Sequence, residues 1–232
     1  MARRTSRTNR ANGSGSAPDS ATVRALLDRH GRTYAEDAGI RLKDAPQPLY
    51  QLLVLAGLLS ARIRATTAVA AARALFAAGM RTPRAMAEAS RQQRVDALGE
   101  GGYRHYDERT AAQLGEGAEL LLESYGGDLR RLRAQADGDP VALRGLLRRT
   151  PGIGPAGVSI FLREAQGVWS DLAPYLDGKA LDGAERLGLP RDPEALAGLV
   201  PERELPALAA ALVRAALDRE VAEEVRRAAQ AA

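Results

Sequence analysis

Apolar residues recur at helical spacing along nearly the whole chain, and the period-two alternation of a half-buried strand is absent. The pattern begins at about Asp19. It predicts a helix from about Ser20 to His30, closed by Gly31. Pro46 and Pro48 precede a helix from Leu49 to about Ala61, whose near-continuous apolar face calls for burial on most sides. Arg62-Ile63-Arg64 interrupts, and an Ala-rich helix runs on to Met80. Thr82-Pro83 opens a short helix, and Ser90-Arg91-Gln92-Gln93 is a capping box opening the next. Gly101-Gly102 breaks that helix, and a longer one is expected from Tyr103 to Tyr125, ending at Gly126-Gly127. Asp139-Pro140 starts a helix carrying Val141, Leu143, Leu146 and Leu147, which Pro151 ends. Further helices are predicted from Pro155 to about Gln166, from Gly178 to Leu187, from Pro193 to Val200, and from Glu202 to about Ala229 with Pro206 in its first turns. The fold class is therefore all-α. There is no internal repeat, no Gly-x-Gly-x-x-Gly and no P-loop.

One junction departs from ordinary helix punctuation. Thr150-Pro151-Gly152-Ile153-Gly154 is a tight Gly-rich hairpin, and a helix starts at once with Pro155 in its first position. Gly152 and Gly154 permit positive φ and close approach of another backbone. The following helix start carries free N–H groups and a partial positive charge, so it can hold an anion such as a nucleic-acid phosphate, read without regard to sequence. Arg148 and Arg149 lie just before the turn. The competing reading is a plain structural corner with Gly in it.

Composition narrows the chemistry. The 232 residues suffice for one large or two small helical lobes, with a core of Leu, Ala and Val, since aromatics make up only 4%. The absence of Cys excludes disulfides, zinc–thiolate sites and iron–sulfur clusters. His30 and His105 are the only histidines, which leaves no basis for a His-rich metal site or a Ser–His–Asp triad. The longest apolar run, around Leu52 to Leu59, fits a core helix rather than a membrane span, and Met1-Ala2-Arg3-Arg4 is not followed by the apolar stretch of a secretory signal. The expectation is a soluble cytoplasmic protein. The net charge of +4 comes from Arg3, Arg4, Arg7 and Arg10, because the other 29 basic residues are matched by 29 acidic ones. Residues 1–18, rich also in Ser, Gly, Asn and Thr, read as a disordered basic arm that adds salt-sensitive DNA affinity or serves as a solubilising tail. Trp169, the only Trp, is either a lid on the core or a platform for an extruded base.

The stretch from the hairpin onward resembles the helix–hairpin–helix plus Gly/Pro…Asp signature of the endonuclease III superfamily of DNA glycosylases. Thr150-Pro151-Gly152-Ile153-Gly154 stands where the family has Leu-Pro-Gly-(Val/Ile)-Gly. The helix to Gln166, the loop Gly167 to Ala173 and Pro174-Tyr175-Leu176-Asp177 follow in family order. Pro-Tyr-Leu-Asp-Gly is similar to the Pro-Ile-Leu-Asp-Gly of the adenine-removing branch. Upstream, Leu58-Leu59-Ser60-Ala61, Gly102-Tyr103 and Tyr125-Gly126-Gly127 also resemble family positions, so the likeness covers Pro46 to Leu189. The resemblance implies two helical lobes with a DNA and active-site cleft between them. It implies a monofunctional base excision repair N-glycosylase in which Asp177, with Asp171 as the fallback, stabilises positive charge at C1′ of an extruded nucleotide and orients a water. It places Arg62, Arg148, Arg149, Gly152, Ile153, Gly154 and Ala156 at the DNA, with Arg62 where the family often has Gln. The partner it implies is double-stranded DNA with a damaged or mispaired base, bound by a monomer in the nucleoid, with no cofactor and no metal. Ala156 occupies the position of the lyase Lys, Ala56 that of the adenine-branch Glu, and the cluster cysteines are missing. Two other readings stay open: a bifunctional glycosylase/lyase using another amine such as Lys179, and a catalytically silent binding module on the same fold. Asp177 is also a sound helix N-cap, a role compatible with catalysis.

Overall fold

The computed structural model describes residues 17–231. Of the arm expected over 1–18, residues 1–16 fall outside that range, and Ala17 and Pro18 already belong to the first helix. The described chain is all-helical: α1 (Ala17–His30), α2 (Tyr34–Asp37), α3 (Pro46–Leu59), α4 (Ala65–Ala77), α5 (Pro83–Glu88), α6 (Arg91–Glu100), α7 (Asp107–Tyr125), α8 (Leu129–Gln135), α9 (Pro140–Leu147), α10 (Pro155–Ala165), α11 (Gly178–Arg186), α12 (Pro193–Ala197), α13 (Leu205–Leu217) and α14 (Arg219–Gln230). Short 3-10 turns at Ser170–Leu172 and Glu202–Glu204 complete it. Among the described residues no helix is long and apolar enough to cross a membrane.

Two helices that are apolar nearly all round organise the packing. Leu49, Leu52, Leu55, Ala56 and Leu58 of α3 are buried, and α3 packs on α4, α8 and α10. Leu208, Ala209, Ala211, Leu212 and Ala215 of α13 are buried, and α13 packs on α1, α10, α11 and α14. Such burial is the main favourable term in folding. The helix α10 touches both centres, which makes it the bridge of the molecule. Small residues bring backbones into contact: a Cβ on Gly183 would stand 1.9 Å from Leu212 O, so α11 lies directly against α13.

Two helix boundaries and two short helices differ from what the sequence predicts. Tyr103 to Tyr106 is not helical; Tyr103 turns inward, its hydroxyl 3.0 Å from Thr110 Oγ1, and the helix waits for the acidic first turn Asp107-Glu108. The final helix is broken at Asp218, whose extended backbone and side-chain bond to Glu220 N make it the N-cap of α14. The short helices α2 and α8, capped by Thr33 and Asp128, have too few residues to show a period.

Candidate functional site

The hairpin is built by its neighbours as much as by its own sequence. Asp139 caps α9 through Val141 N at 2.8 Å, and the chain turns at Arg148 to Gly154. Gly152 is at φ +82, where a side chain is strained. Gly154 is not: its φ is −88, and a Cβ there would meet nothing within 4 Å. The expected conformational need for Gly at both positions therefore holds only for Gly152. At Gly154 the absence of a side chain leaves space above the start of α10. Ile153 donates its N–H to Thr150 O at 3.0 Å, while the Gly152 and Gly154 amides have no partner among the described residues.

The side chain of Ile153 points inward. It packs against Gly57 of α3 and Gly157 of α10, where an added Cβ would lie 3.2 Å and 3.5 Å from it. Any contact Ile153 makes with a ligand is thus through its main chain. The Thr150 methyl lies against Gly117 of α7, and Thr150 Oγ1 is buried without a hydrogen-bond partner.

A cleft of about 660 Å³ opens beside the hairpin, between the end of α3, the 103–106 loop and α7. Tyr50, Tyr103 and Tyr106 line it together with Gln113 and Thr150. Four arginines, Arg62, Arg109, Arg148 and Arg149, also line it. All four are exposed, and none forms an ion pair among the described residues, whereas Arg91, Arg130, Arg133, Arg191 and Arg214 each pair with a carboxylate. Unpaired arginines converging on one concavity make a positive rim suited to an anionic ligand. Burial pushes the Tyr50 hydroxyl well above its ordinary range, so it stays neutral and a donor.

Asp177 does not line that cleft. It lies along α10, and it caps α11 by accepting Ala180 N–H at 3.1 Å on Oδ1. Its Oδ2 stands 3.5 Å from Arg163 Nε. The Asp177 side chain is 16% exposed, the Arg163 side chain 8%. The segment leading to it is held by Gln166, which accepts Tyr175 N–H at 2.8 Å and donates to Tyr175 O at 3.1 Å. The Tyr175 hydroxyl donates to Ser159 Oγ at 3.4 Å, with Arg144 over the other side of its ring.

No protein-family model matches the chain, and no curated protein matches it. The chain is similar to a solved structure, that of a trapped endonuclease III–DNA covalent intermediate, an estranged-adenine complex, 16% identical, with 84% of each chain covered and a TM-score of 0.47.

Among the residues singled out from sequence, Arg62, Arg148, Arg149, Gly152, Ile153 and Gly154 meet at the cleft, and Ala156 is exposed on the first turn of α10. Asp177, at the start of α11, lies against a later turn of α10, beside Arg163. The base-stacking role considered for Trp169 is overturned. Trp169 is 0% exposed, edge-on to Phe161, with its indole N–H donating to Asp44 Oδ1 at 3.0 Å. It is a core residue whose polar tip is satisfied. Asp171 pairs with Arg133 on an exposed turn. Lys179 pairs with Asp182 at 3.2 Å and is 48% exposed.

Sequence reasoning missed Arg163, Glu164 and Gln166. Each is buried, and the available signal was a run of polar residues on the helix that also carries Val158, Phe161, Leu162 and Ala165. Glu164 holds the start of α2, accepting Tyr34 N–H at 2.7 Å and Ala35 N–H at 2.8 Å. Burial pushes its carboxyl up to about 7, against the pull of those two amides.

Proposed function

We propose that the protein is a monofunctional DNA N-glycosylase of base excision repair, releasing a damaged or mispaired base with Asp177 as the charge-stabilising carboxylate. The observation that carries this reading is that one helix, α10, joins two features a glycosylase needs. Its N-terminus presents unpartnered amides and open space at Gly154, with arginines beside it. Its later turns stand against a carboxylate, with Arg163 beside Oδ2 while the start of α11 holds Oδ1. Nine residues separate Gly154 from Arg163, about 13 Å along the axis at 1.5 Å per residue, a span a nucleic-acid backbone covers in a few nucleotides.

In this reading the hairpin amides and the arginine rim take phosphates, which fixes register without reading sequence. The target nucleotide rotates out of the duplex. Its N-glycosidic bond breaks, the base departs with the bonding pair and takes up a proton, and C1′ acquires oxocarbenium character. Asp177 stabilises that charge and orients a water, whose oxygen bonds to C1′ and sheds one proton to solvent, balancing the proton the base takes up. Asp171, exposed and paired with Arg133, is less suited to the part.

A lyase would need a neutral amine beside C1′. The family position for it is Ala156, and Lys179 is turned to Asp182. The test is a panel of duplexes with single damaged or mispaired bases, each scored for nicking with and without alkali and for borohydride trapping. Alkali-dependent nicks without a trapped adduct support the proposal. A trapped adduct lost in Lys179→Ala favours the bifunctional reading, and binding without release of any base favours a silent module.

A further inference from the structure

We infer that Arg163 positions the Asp177 carboxylate for its work at C1′; the inference rests on Asp177 carrying the chemistry. Arg163 sits on α10 beside Phe161, Leu162 and Ala165, with 8% of its side chain exposed. A guanidinium so buried is strongly disfavoured unless it is paired. Among the described residues the carboxylate within ion-pair distance is that of Asp177. The Arg163 Nε–H donates to its own helix at Ser159 O, 3.4 Å away, and the same nitrogen stands 3.5 Å from Asp177 Oδ2 as an ion pair.

The N-cap role of Asp177 does not account for this arginine. Capping uses Oδ1 alone, and Asn or Ser caps as well without any cation. Arg163 adds a second point of attachment on the other oxygen. Two points define the plane of the carboxylate where one leaves it free to rotate about χ2. The rest of the same helix face supports this. Ser159, Arg163 and Gln166 are spaced i, i+4, i+7, and hold in turn the Tyr175 hydroxyl, the Asp177 carboxylate and the Tyr175 main chain. At 3.5 Å the Arg163 contact is longer than a charge-assisted hydrogen bond, so it orients Oδ2 without using up its lone pairs.

Charge alone predicts the opposite of positioning. A nearby cation weakens the attraction of Asp177 for a second cation, so removing Arg163 would strengthen it. Loss of positioning weakens it. The assay uses the full-length chain and two duplexes: one with a pyrrolidine abasic nucleotide, whose ring nitrogen is cationic at neutral pH and mimics the oxocarbenium, and one with the neutral tetrahydrofuran analogue. The ratio of their Kd values reports the aimed negative charge whatever base the enzyme removes. The wild type is expected to prefer the cationic duplex by about tenfold or more. Asp177→Asn and Arg163→Met bring the ratio close to one, and Arg163→Lys restores part of it. Affinity for the neutral duplex stays within about twofold throughout. If Arg163→Met fails to fold, Arg163→Gln, uncharged but able to reach Ser159 O, takes its place with the same expectation. A ratio kept or raised without the arginine, yet lost in Asp177→Asn, overturns the positioning role and leaves Asp177 in place. A ratio of one in the wild type, or one unchanged in Asp177→Asn, overturns the Asp177 reading and this inference with it.

Discussion

Replacing Gly154 by alanine separates the two things a Gly-rich hairpin can do. Gly154 is at φ −88 and ψ −175, a conformation alanine adopts freely, and the new methyl would meet no atom within 4 Å. Folding stability should therefore hold or rise by about 0.4–1 kcal/mol, because the unfolded chain loses freedom. The methyl occupies open space next to the unpartnered Gly154 amide. A phosphate bonded there would be pushed off, and each hydrogen bond to a charged group is worth about 1.5–3 kcal/mol, so Kd for duplex DNA should rise roughly ten- to a hundredfold. Gly152→Ala is the counterpart. At φ +82, with a Cβ placed 3.3 Å from Gln113 Cβ, it should cost about 1–2 kcal/mol of stability. Urea denaturation and fluorescence anisotropy on a fixed duplex measure both quantities. Equal stability losses in the two variants would contradict the hairpin geometry. Unchanged DNA affinity in a folded Gly154→Ala would reduce the hairpin to a structural corner.

Other expectations follow from neighbouring features. Arg148→Ala with Arg149→Ala should weaken binding alike on all duplex sequences and lower the slope of log Kobs against log salt by about 1–2, measured by titration at several ionic strengths; an unchanged slope would remove the rim from the interface. Trp169→Ala should cost about 3–5 kcal/mol by chemical denaturation, whereas Trp169→Phe, if folded, should leave DNA affinity unchanged, since the indole faces Phe161 and Asp44. The Glu164 carboxyl, raised from its ordinary 4.5 to about 7 in the folded chain, keeps a proton that the unfolded chain releases between those values. Its contribution to stability is therefore full below about pH 4.5 and is lost as pH rises through 7, a span on the order of 3 kcal/mol. Urea midpoints across that window should show the decline in the wild type and a flatter profile in Glu164→Gln.

The helical character of the chain, the hairpin and the start of α11 at Asp177 were legible because each depends on local chemistry. Alanine and leucine at helical spacing, an Asp-Pro start, Gly152 in the turn and Asp177 before Gly178 act within one turn of backbone. What could not be read depends on partners distant in sequence. For Trp169 the sequence allows both a core lid and a base platform, and the lid is borne out, with the distant Asp44, on the chain before α3, taking its N–H. Glu164 serves α2 about 130 residues away, at Tyr34 and Ala35. Arg163 carries no local signal of a partner on its helix, and becomes a neighbour of Asp177 only when the loop folds back on α10. The break at Asp218 was hidden by helix formers on both sides, and the inward turn of Tyr103 rests on its hydroxyl meeting Thr110 rather than on any apolar spacing. The separation of Asp177 from the tyrosine-lined cleft is likewise a matter of packing, which spacing along the chain does not encode.

The central claim is that Asp177 drives base release. On a duplex whose damaged base the wild type removes, free base should be quantified by chromatography under single-turnover conditions for the wild type, Asp177→Asn and Asp171→Asn. Asn keeps the cap on α11 and should leave duplex affinity within about twofold. Asp177→Asn is expected to lower the release rate by at least about a thousandfold, the loss of roughly 4 kcal/mol of transition-state stabilisation. Asp171→Asn should release base at the wild-type rate. Full activity in Asp177→Asn, or its loss in Asp171→Asn alone, would contradict the account.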